Sequence, residues 1–378
     1  MSAIRVLHVI RKMDRGGAET MLMNLMRRIP REEAAFDYLV HTDDHGDYDD
    51  EIAGLGGSIW RLPAYNVANF FHYKKACREL MASIGHFDIV HGHQGSCAPI
   101  YLSEAKRAGF LTIAHSHNAD GAIPPLQMAA FNMISHPVRG VADYYLGCSM
   151  QAGLDRFGKK IVDSDRFSLL PNGIDSKVFA FSEEARKAIR DELGIGSEPV
   201  IGTVGRLTRQ KNHTFLLEIF SRMLEVDHNI KLVIVGRGEL EDDLRQKCDL
   251  LGLSSNVKML GVRKDVPALM SAFDAFILPS HAEGLPLVGV EAQAAGLPCF
   301  FSTGVPRDVA ISDTVTFLDL ESGAKHWSDA IWAGISNASA WNRFDRGRVI
   351  RESDYDIASS ARKLVDIYRM CIERFKEA

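Results

Sequence analysis

The stretch Val200-Ile201-Gly202-Thr203-Val204-Gly205-Arg206-Leu207-Thr208-Arg209-Gln210-Lys211-Asn212 decides the fold. Val200–Val204 is a short run rich in β-branched residues, which reads as a buried strand. Gly205 breaks it, a basic loop follows, and Thr214–Leu224 carries apolar residues at helical spacing. A strand turning through glycine into an amphipathic helix is half of a β–α–β unit, and such units build parallel sheets through right-handed crossovers. Parallel sheets of this kind bind ligands beyond the carboxyl ends of their strands. The loop Gly205–Asn212 is therefore a candidate site before any partner is known.

The same alternation extends in both directions. Towards the C-terminus, Lys231–Val235, Val257–Leu260, Ala275–Leu278, Cys299–Ser302 and Thr316–Leu318 read as strands. Leu240–Leu251, Val288–Ala295 and a long terminal stretch, Ile357–Phe375, read as helices. Towards the N-terminus, the strands are Ile4–Ile10, Phe36–Thr42, Ser58–Leu62, Asp88–His91, Leu111–His115 and Tyr144–Cys148. The helices there are Ala18–Arg28, Phe70–Ile84, Ala98–Ala108 and Pro124–Val141. The strongest breaker cluster lies between the two series, at Pro171-Asn172-Gly173-Ile174-Asp175. The expected fold class is α/β: two Rossmann-like, doubly wound domains facing each other across a cleft, residues 1–176 and 177–356. A chain of 378 residues accommodates two such domains.

Composition narrows the function. A hydrophobic share of 46% with 25% charged residues is that of a soluble globular protein. A net charge of -5 argues against a nucleic-acid binder, whose domain is normally basic. The six cysteines stand apart, with no Cys-x-x-Cys pair, as buried thiols in a reducing compartment do. No signal peptide and no long apolar span is legible, so a cytoplasmic protein is expected.

Five motifs carry chemistry. Arg15-Gly16-Gly17-Ala18-Glu19 joins the first strand to the first helix, where glycines admit a ligand and free amides favour an anion; a plain tight turn is the alternative. Ala114-His115-Ser116-His117-Asn118 follows an apolar strand, and either histidine could bond a sugar hydroxyl or a phosphate. His91 and His93 repeat that pattern after the preceding strand; no third ligand at defined spacing turns either pair into a metal site. Gly205-Arg206 with Lys211-Asn212 offers two cations and a helix start to a diphosphate, without a metal. Val235-Gly236-Arg237-Gly238-Glu239 lets a nucleotide pass or simply turns the chain. Last, Glu283-Gly284-Leu285-Pro286-Leu287-Val288-Gly289-Val290-Glu291 sets two acids eight positions apart, a little over two helical turns, with Glu291 in an apolar helix. The expectation is that this helix brings both carboxylates to one side of the cleft, Glu283 by a donor sugar and Glu291 on a ribose.

With that pair in view, the chain resembles the family 4 glycosyltransferases of GT-B fold along nearly its whole length. Glu283 and Glu291 match the family's Glu, seven residues, Glu. Gly205-Arg206-Leu207 and Gln210-Lys211-Asn212 match its diphosphate-binding stretch, Gly16 and Gly17 its N-terminal loop, and Pro171–Asp175 its junction. The resemblance implies a retaining, metal-independent hexosyltransferase needing no cofactor, with a nucleotide-sugar donor, UDP-sugars being the commonest. It implies donor contacts from Gly205, Arg206, Lys211, Asn212, Gly236, Val262, Glu283, Gly284, Leu285, Pro286, Leu287 and Glu291. Gly16, Gly17 and Glu19 would form a phosphate or acceptor loop. Residues 1–176 would bind acceptor, 177–356 donor, and residues 357–378 would cross back to the N-terminal domain. The family's catalytic histidine falls on His115 or His117. The branch most resembled assembles bacterial exopolysaccharide, capsule or O-antigen, whose acceptor is often a glycan or a sugar on a polyprenyl diphosphate. Pro124–Val141 with Arg27, Arg28 and Arg31 would then face the inner membrane surface, or else form a core helix and a solvated charge cluster. Three rivals remain. Asp47-Tyr48-Asp49 and Asp354-Tyr355-Asp356 fit the Asp-x-Asp of metal-dependent transferases, though neither ends an apolar strand. An epimerase or phosphorylase, or a non-catalytic binding subunit, could use the same fold.

Overall fold

A computed structural model of the protein describes residues 3–117, 136–338 and 342–377. The chain divides into two compact units: Met1–Gly173 with Ile357–Ala378, and Ile174–Asp356.

Unit 1 is built on strands β1 (Ile4–Ile10), β2 (Ala34–Val40), β3 (Ile59–Arg61), β4 (Ile89–Gly92), β5 (Leu111–Ser116), β6 (Tyr144–Gly147) and β7 (Phe167–Leu169). They form one sheet in the order β3-β2-β1-β4-β5-β6-β7, and every pairing is parallel. Side chains alternate along a strand, so each strand feeds two cores. Val6, Ile10, Phe36, Tyr38 and Ile113 pack under the helix Gly17–Arg28 and the C-terminal helix Ile357–Glu377. Leu7, Val9, Leu39 and Val90 face Tyr73, Cys77 and Met81 on the helix Phe70–Ser83, together with the helix Ala98–Arg107. The C-terminal helix thus belongs to the N-terminal unit, with Leu364, Val365, Tyr368 and Cys371 buried in its core. The helix expected over Pro124–Val141 lies mostly outside the described residues; its end is the short helix Val138–Val141.

Unit 2 carries strands β8 (Val200–Val204), β9 (Lys231–Val235), β10 (Val257–Met259), β11 (Ala275–Leu278), β12 (Cys299–Ser302) and β13 (Val315–Leu318). Their order is β10-β9-β8-β11-β12-β13, again wholly parallel. The sequence pattern omits four α-helices that unit 2 contains among the described residues, Glu183–Leu193, Val266–Ala272, Gly323–Ala338 and Arg343–Arg351. In both sheets the strand order reverses beside the first strand: β1 meets β4, and β8 meets β11. Loops leaving these strands diverge to opposite sides, and the crevice between them is where a doubly wound sheet takes its ligand.

The chain enters unit 2 at Ile174 and leaves it at Asp356, and the two passages lie side by side. Ile174 N donates to Tyr355 O at 2.8 Å, and Ser176 Oγ donates to the Asp356 carboxylate. On the unit 1 side, a Cβ on Gly173 would stand 3.0 Å from Ile357 Cα, too close for backbone to yield. The Pro-Asn-Gly segment is therefore shaped by the helix that returns beside it.

Asp274 fixes the start of β11 to the start of β8. Its carboxylate accepts from Val200 N at 2.8 Å, and pairs with Arg186 and Arg190, each at 2.6 Å. Asp274→Ala leaves two guanidinium groups facing each other in a largely buried site. We expect a loss of about 3 kcal/mol from unit 2. Denaturant unfolding followed by tryptophan fluorescence measures it, since Trp327 and Trp332 lie in that unit.

Candidate active site

At the reversal point of unit 2, the loop after β8 and the loop after β11 are tied together. Lys211 Nζ lies 2.7 Å from Glu283 Oε1, with side chains 18% and 7% exposed. Ser280 Oγ donates to the same oxygen at 2.6 Å. Gln210 Nε2 donates to Ala282 O and His281 N to Gln210 O, both at 2.8 Å, and Glu283 N donates to Gly304 O at 3.1 Å. Glu283 is thereby held in place, while its Oε2 has no hydrogen-bond partner among the described residues.

The β8 loop is also shaped from its other side. Gly236 has φ 135°, and a Cβ there would collide with Gly205 O, so only glycine fits. Gly236 N donates to Gly261 O at 2.8 Å, which places Val262, 70% exposed, just beyond this contact. Arg206 is exposed and makes no ion pair among the described residues. Asn212 has φ 54°, the one positive value outside glycine among the described residues, and opens the helix His213–Leu224. No side chain caps that helix, so its start stays open to an anion.

Glu283 lies in the loop after β11 and Glu291 on the helix that follows, as the sequence pattern places them. The helix begins at Leu287, after Pro286, so Glu283 sits in the loop with Gly284 and Leu285. Glu291 alone is on the helix, half-buried, and its carboxylate has no partner among the described residues. Burial pushes that carboxyl up to about 7.

In unit 1 the helix Gly17–Arg28 starts at Gly16, and the Glu19 carboxylate curls back into the space a Gly16 Cβ would need. Burial raises the Glu19 carboxyl above its ordinary value. A Cβ on Gly17 would meet nothing within 4 Å. A ligand thus finds room at Gly17 and a carboxylate, not bare amides, beside Gly16.

His115 and His117 join a larger group. His8 pairs in register with His91 across β1 and β4, and β5 carries His115 beside His91 on the same face. His8 Nδ1 lies 2.9 Å from His93 Nε2, and His93 Nδ1 lies 2.8 Å from His117 Nε2. His91 Nδ1 lies 2.7 Å from the Tyr368 hydroxyl on the C-terminal helix. Burial lowers all five imidazoles: His8 to about 3, His117 to about 4, and His91, His93 and His115 well below the ordinary value. They are neutral at pH 7. His115 is buried, whereas His117, one step past β5, keeps partial exposure. The sequence reading missed His8, hidden in an apolar run, and Tyr368; the in-register His8–His91 pair was the available signal.

The Asp-x-Asp pairs are engaged elsewhere. Asp49 bonds Arg61 at 2.7 Å, Asp47 accepts from Arg15 N at 3.2 Å, and Asp356 holds Ser176.

Residues 185–341 match the family described as Glycosyl transferases group 1, and residues 15–178 match Glycosyltransferase Family 4. EpsF of Bacillus subtilis (strain 168), assigned as a glycosyltransferase, is 32% identical over 378 residues, 98% of this chain and 97% of that protein. The UDP-Gal:alpha-D-GlcNAc-diphosphoundecaprenol alpha-1,3-galactosyltransferase of Escherichia coli is 37% identical over 145 residues, 37% of this chain and 38% of that enzyme. Among solved structures, Anabaena HepE in complex with UDP and glucose superposes with TM-score 0.76 at 15% identity, over 96% of this chain and 99% of that one. A glycosyltransferase from Rickettsia africae ESF-5 superposes with TM-score 0.80 at 16% identity, over 99% and 100%. The architecture common to these chains is GT-B.

Glu291 gives a prediction that needs no ligand. Its folded pKa stands above the unfolded one, so its contribution to stability is full below the ordinary carboxyl range and is lost as pH rises through about 7. Glu291→Gln, which mimics the protonated acid, should match wild type at pH 4. At pH 8 it should be more stable by roughly 2 kcal/mol. Equal stability of the two proteins at pH 8 refutes a strained carboxylate.

Proposed function

We propose, since this chain belongs to glycosyltransferase family 4, that it is a retaining enzyme moving a hexose from a nucleoside-diphosphate sugar to a glycan or polyprenyl-diphosphate-linked acceptor in bacterial surface polysaccharide synthesis. The observation that carries this reading is the Lys211–Glu283 pair beside the unpaired Arg206 at the β8–β11 reversal. An ammonium has three donors, so Lys211 can keep Glu283 and still reach a phosphate oxygen. Arg206 and the open start of the helix His213–Leu224 add charge and dipole for the departing diphosphate. The phosphates are thus neutralised by the protein without a divalent ion.

Glu283 Oε2 turns to a hydroxyl of the donor sugar, and Glu291 accepts the two ribose hydroxyls. The loop Gly205, Gly236 and Val262 passes the base, and the backbone of Gly284, Leu285, Pro286 and Leu287 lines the phosphates. In unit 1, His117 is the histidine that meets the reacting sugar, because it has the exposure that His115 lacks. Gly16, Gly17 and Glu19 flank the acceptor. Retention follows if the acceptor hydroxyl attacks from the face the phosphate leaves, with the phosphate oxygen taking the proton. A uridine diphosphate sugar is the favoured donor: the E. coli relative is named for UDP-Gal, and HepE was solved with UDP and glucose. No described helix is long and apolar enough to cross a membrane, so contact with a lipid-borne acceptor would be peripheral.

Incubation of the protein with UDP-hexoses and diphosphate-linked sugar acceptors, read by mass spectrometry and NMR, tests this directly. The expected product keeps the donor's anomeric configuration, and transfer persists in excess chelator; an inverted product sinks the mechanism. Lys211→Ala should lower kcat about a hundredfold or more with little change in acceptor KM. Equal effects on both count against a role at the phosphate.

A further inference from the structure

The histidines of unit 1 hold more than an active-site imidazole requires. His8, His91 and His93 each present a ring nitrogen, all within 4.8 Å of one another. His8 and His91 are fully buried on adjacent strands, and His93 keeps an opening to the surface. His8 Nε2 and His91 Nε2 are buried with no hydrogen-bond partner among the described residues. An unsatisfied buried polar atom costs on the order of 1–3 kcal/mol, and His91 Nε2, on the side shared with His8 and His93, calls for a bound group.

We propose that His8, His91 and His93 bind one first-row transition-metal ion, of the kind zinc represents. Three features fit. Neutral imidazoles suit such ions, and three of them leave a fourth position for water. In a tetrahedral site with metal–nitrogen bonds of about 2.0 Å, ligand nitrogens stand roughly 3.3 Å apart. His8 Nδ1 and His93 Nε2, at 2.9 Å, need only part slightly to share an ion. Finally, a ligating histidine normally has its other nitrogen held by a second partner. Here Tyr368 Oη takes His91 Nδ1 at 2.7 Å, and His117 Nε2 takes His93 Nδ1 at 2.8 Å. Those bonds leave His91 Nε2 and His93 Nε2 to face the ion.

A second triad, His93, His115 and His117, meets the same distance limit. It would consume His117, the partly exposed imidazole that the transfer reaction needs. The ion in the inner triad would join β1 to β4 across the strand reversal and, through Tyr368, to the C-terminal helix. It takes no part in neutralising the diphosphate, which belongs to unit 2.

Tag-free, reduced, metal-stripped protein is titrated with Co2+ and separately with Zn2+, following visible absorption and bound metal by mass spectrometry. The expected result is about one equivalent of Co2+ with the absorption of a nitrogen-ligated, low-coordinate ion, displaced by Zn2+, and a rise in melting temperature. His91→Gln or His93→Gln should weaken binding a hundredfold or more, and Tyr368→Phe about tenfold. His115→Gln should leave affinity unchanged. No uptake by folded wild-type protein at micromolar metal overturns the proposal. So does uptake undiminished in His91→Gln, or loss in His115→Gln alone. If the ligand variants fail to fold, X-ray absorption of the Zn2+-loaded wild type decides: imidazole scattering from three histidines supports the site, and sulfur scattering refutes it.

Discussion

An ion pair spans the place where the second sheet changes direction. Lys211 comes from the loop after β8 and Glu283 from the loop after β11, and the sheet's topology sends those loops to opposite sides. Without a bond between them, nothing local would hold a cation and an acid at a fixed separation. Ser280 and Gln210 reinforce the closure by anchoring the carboxylate and the loop backbone. The cation is partly shielded from water, so its field on a neighbouring anion is stronger than that of an exposed lysine. The acid retains one oxygen for other work. Preorganisation of this kind is what a group-transfer site needs, because the protein dipoles are already oriented when charge develops.

The sequence revealed the architecture well and the site in part, for reasons that differ by residue. Strands such as Ile4–Ile10 and Val200–Val204 are largely buried on both faces, so they read as mainly apolar runs. Glycine loops after them marked the carboxyl edges. Four helices of unit 2 escaped notice; Glu183–Leu193 is predominantly polar, and Val266–Ala272 is short. Spacing served at Glu283 and Glu291: Pro286 holds off the helix until Leu287, so the first acid stays in the loop and the second stands on the helix. Linear spacing concealed the histidine patch. Its members come from three strands and gather through parallel register, which no single segment displays.

Buried polarity in the two units is of two kinds. Asp274 is half-buried, its carboxylate matched by two guanidinium groups and a backbone amide. Gln293, deep in the core, is equally satisfied, donating to Gly289 O and Val309 O and accepting from Ile311 N and Ser312 N. These groups build the unit and ask for nothing further. His8 and His91 differ, since each keeps a ring nitrogen without a hydrogen-bond partner among the described residues.

The return of Ile357–Ala378 to the first unit has a consequence for how the protein is made. A nascent chain usually finishes its amino-terminal domain first. Here the helix Gly17–Arg28 covers only part of the core around Val6, Ile10, Phe36 and Ile113, and the rest waits for Ile357–Glu377, because Leu364, Val365 and Tyr368 complete that cover. The trailing half, complete at Asp356, reaches its native state earlier. Until that segment is made, part of the first sheet's apolar face stays uncovered, and Ile357–Glu377 closes it.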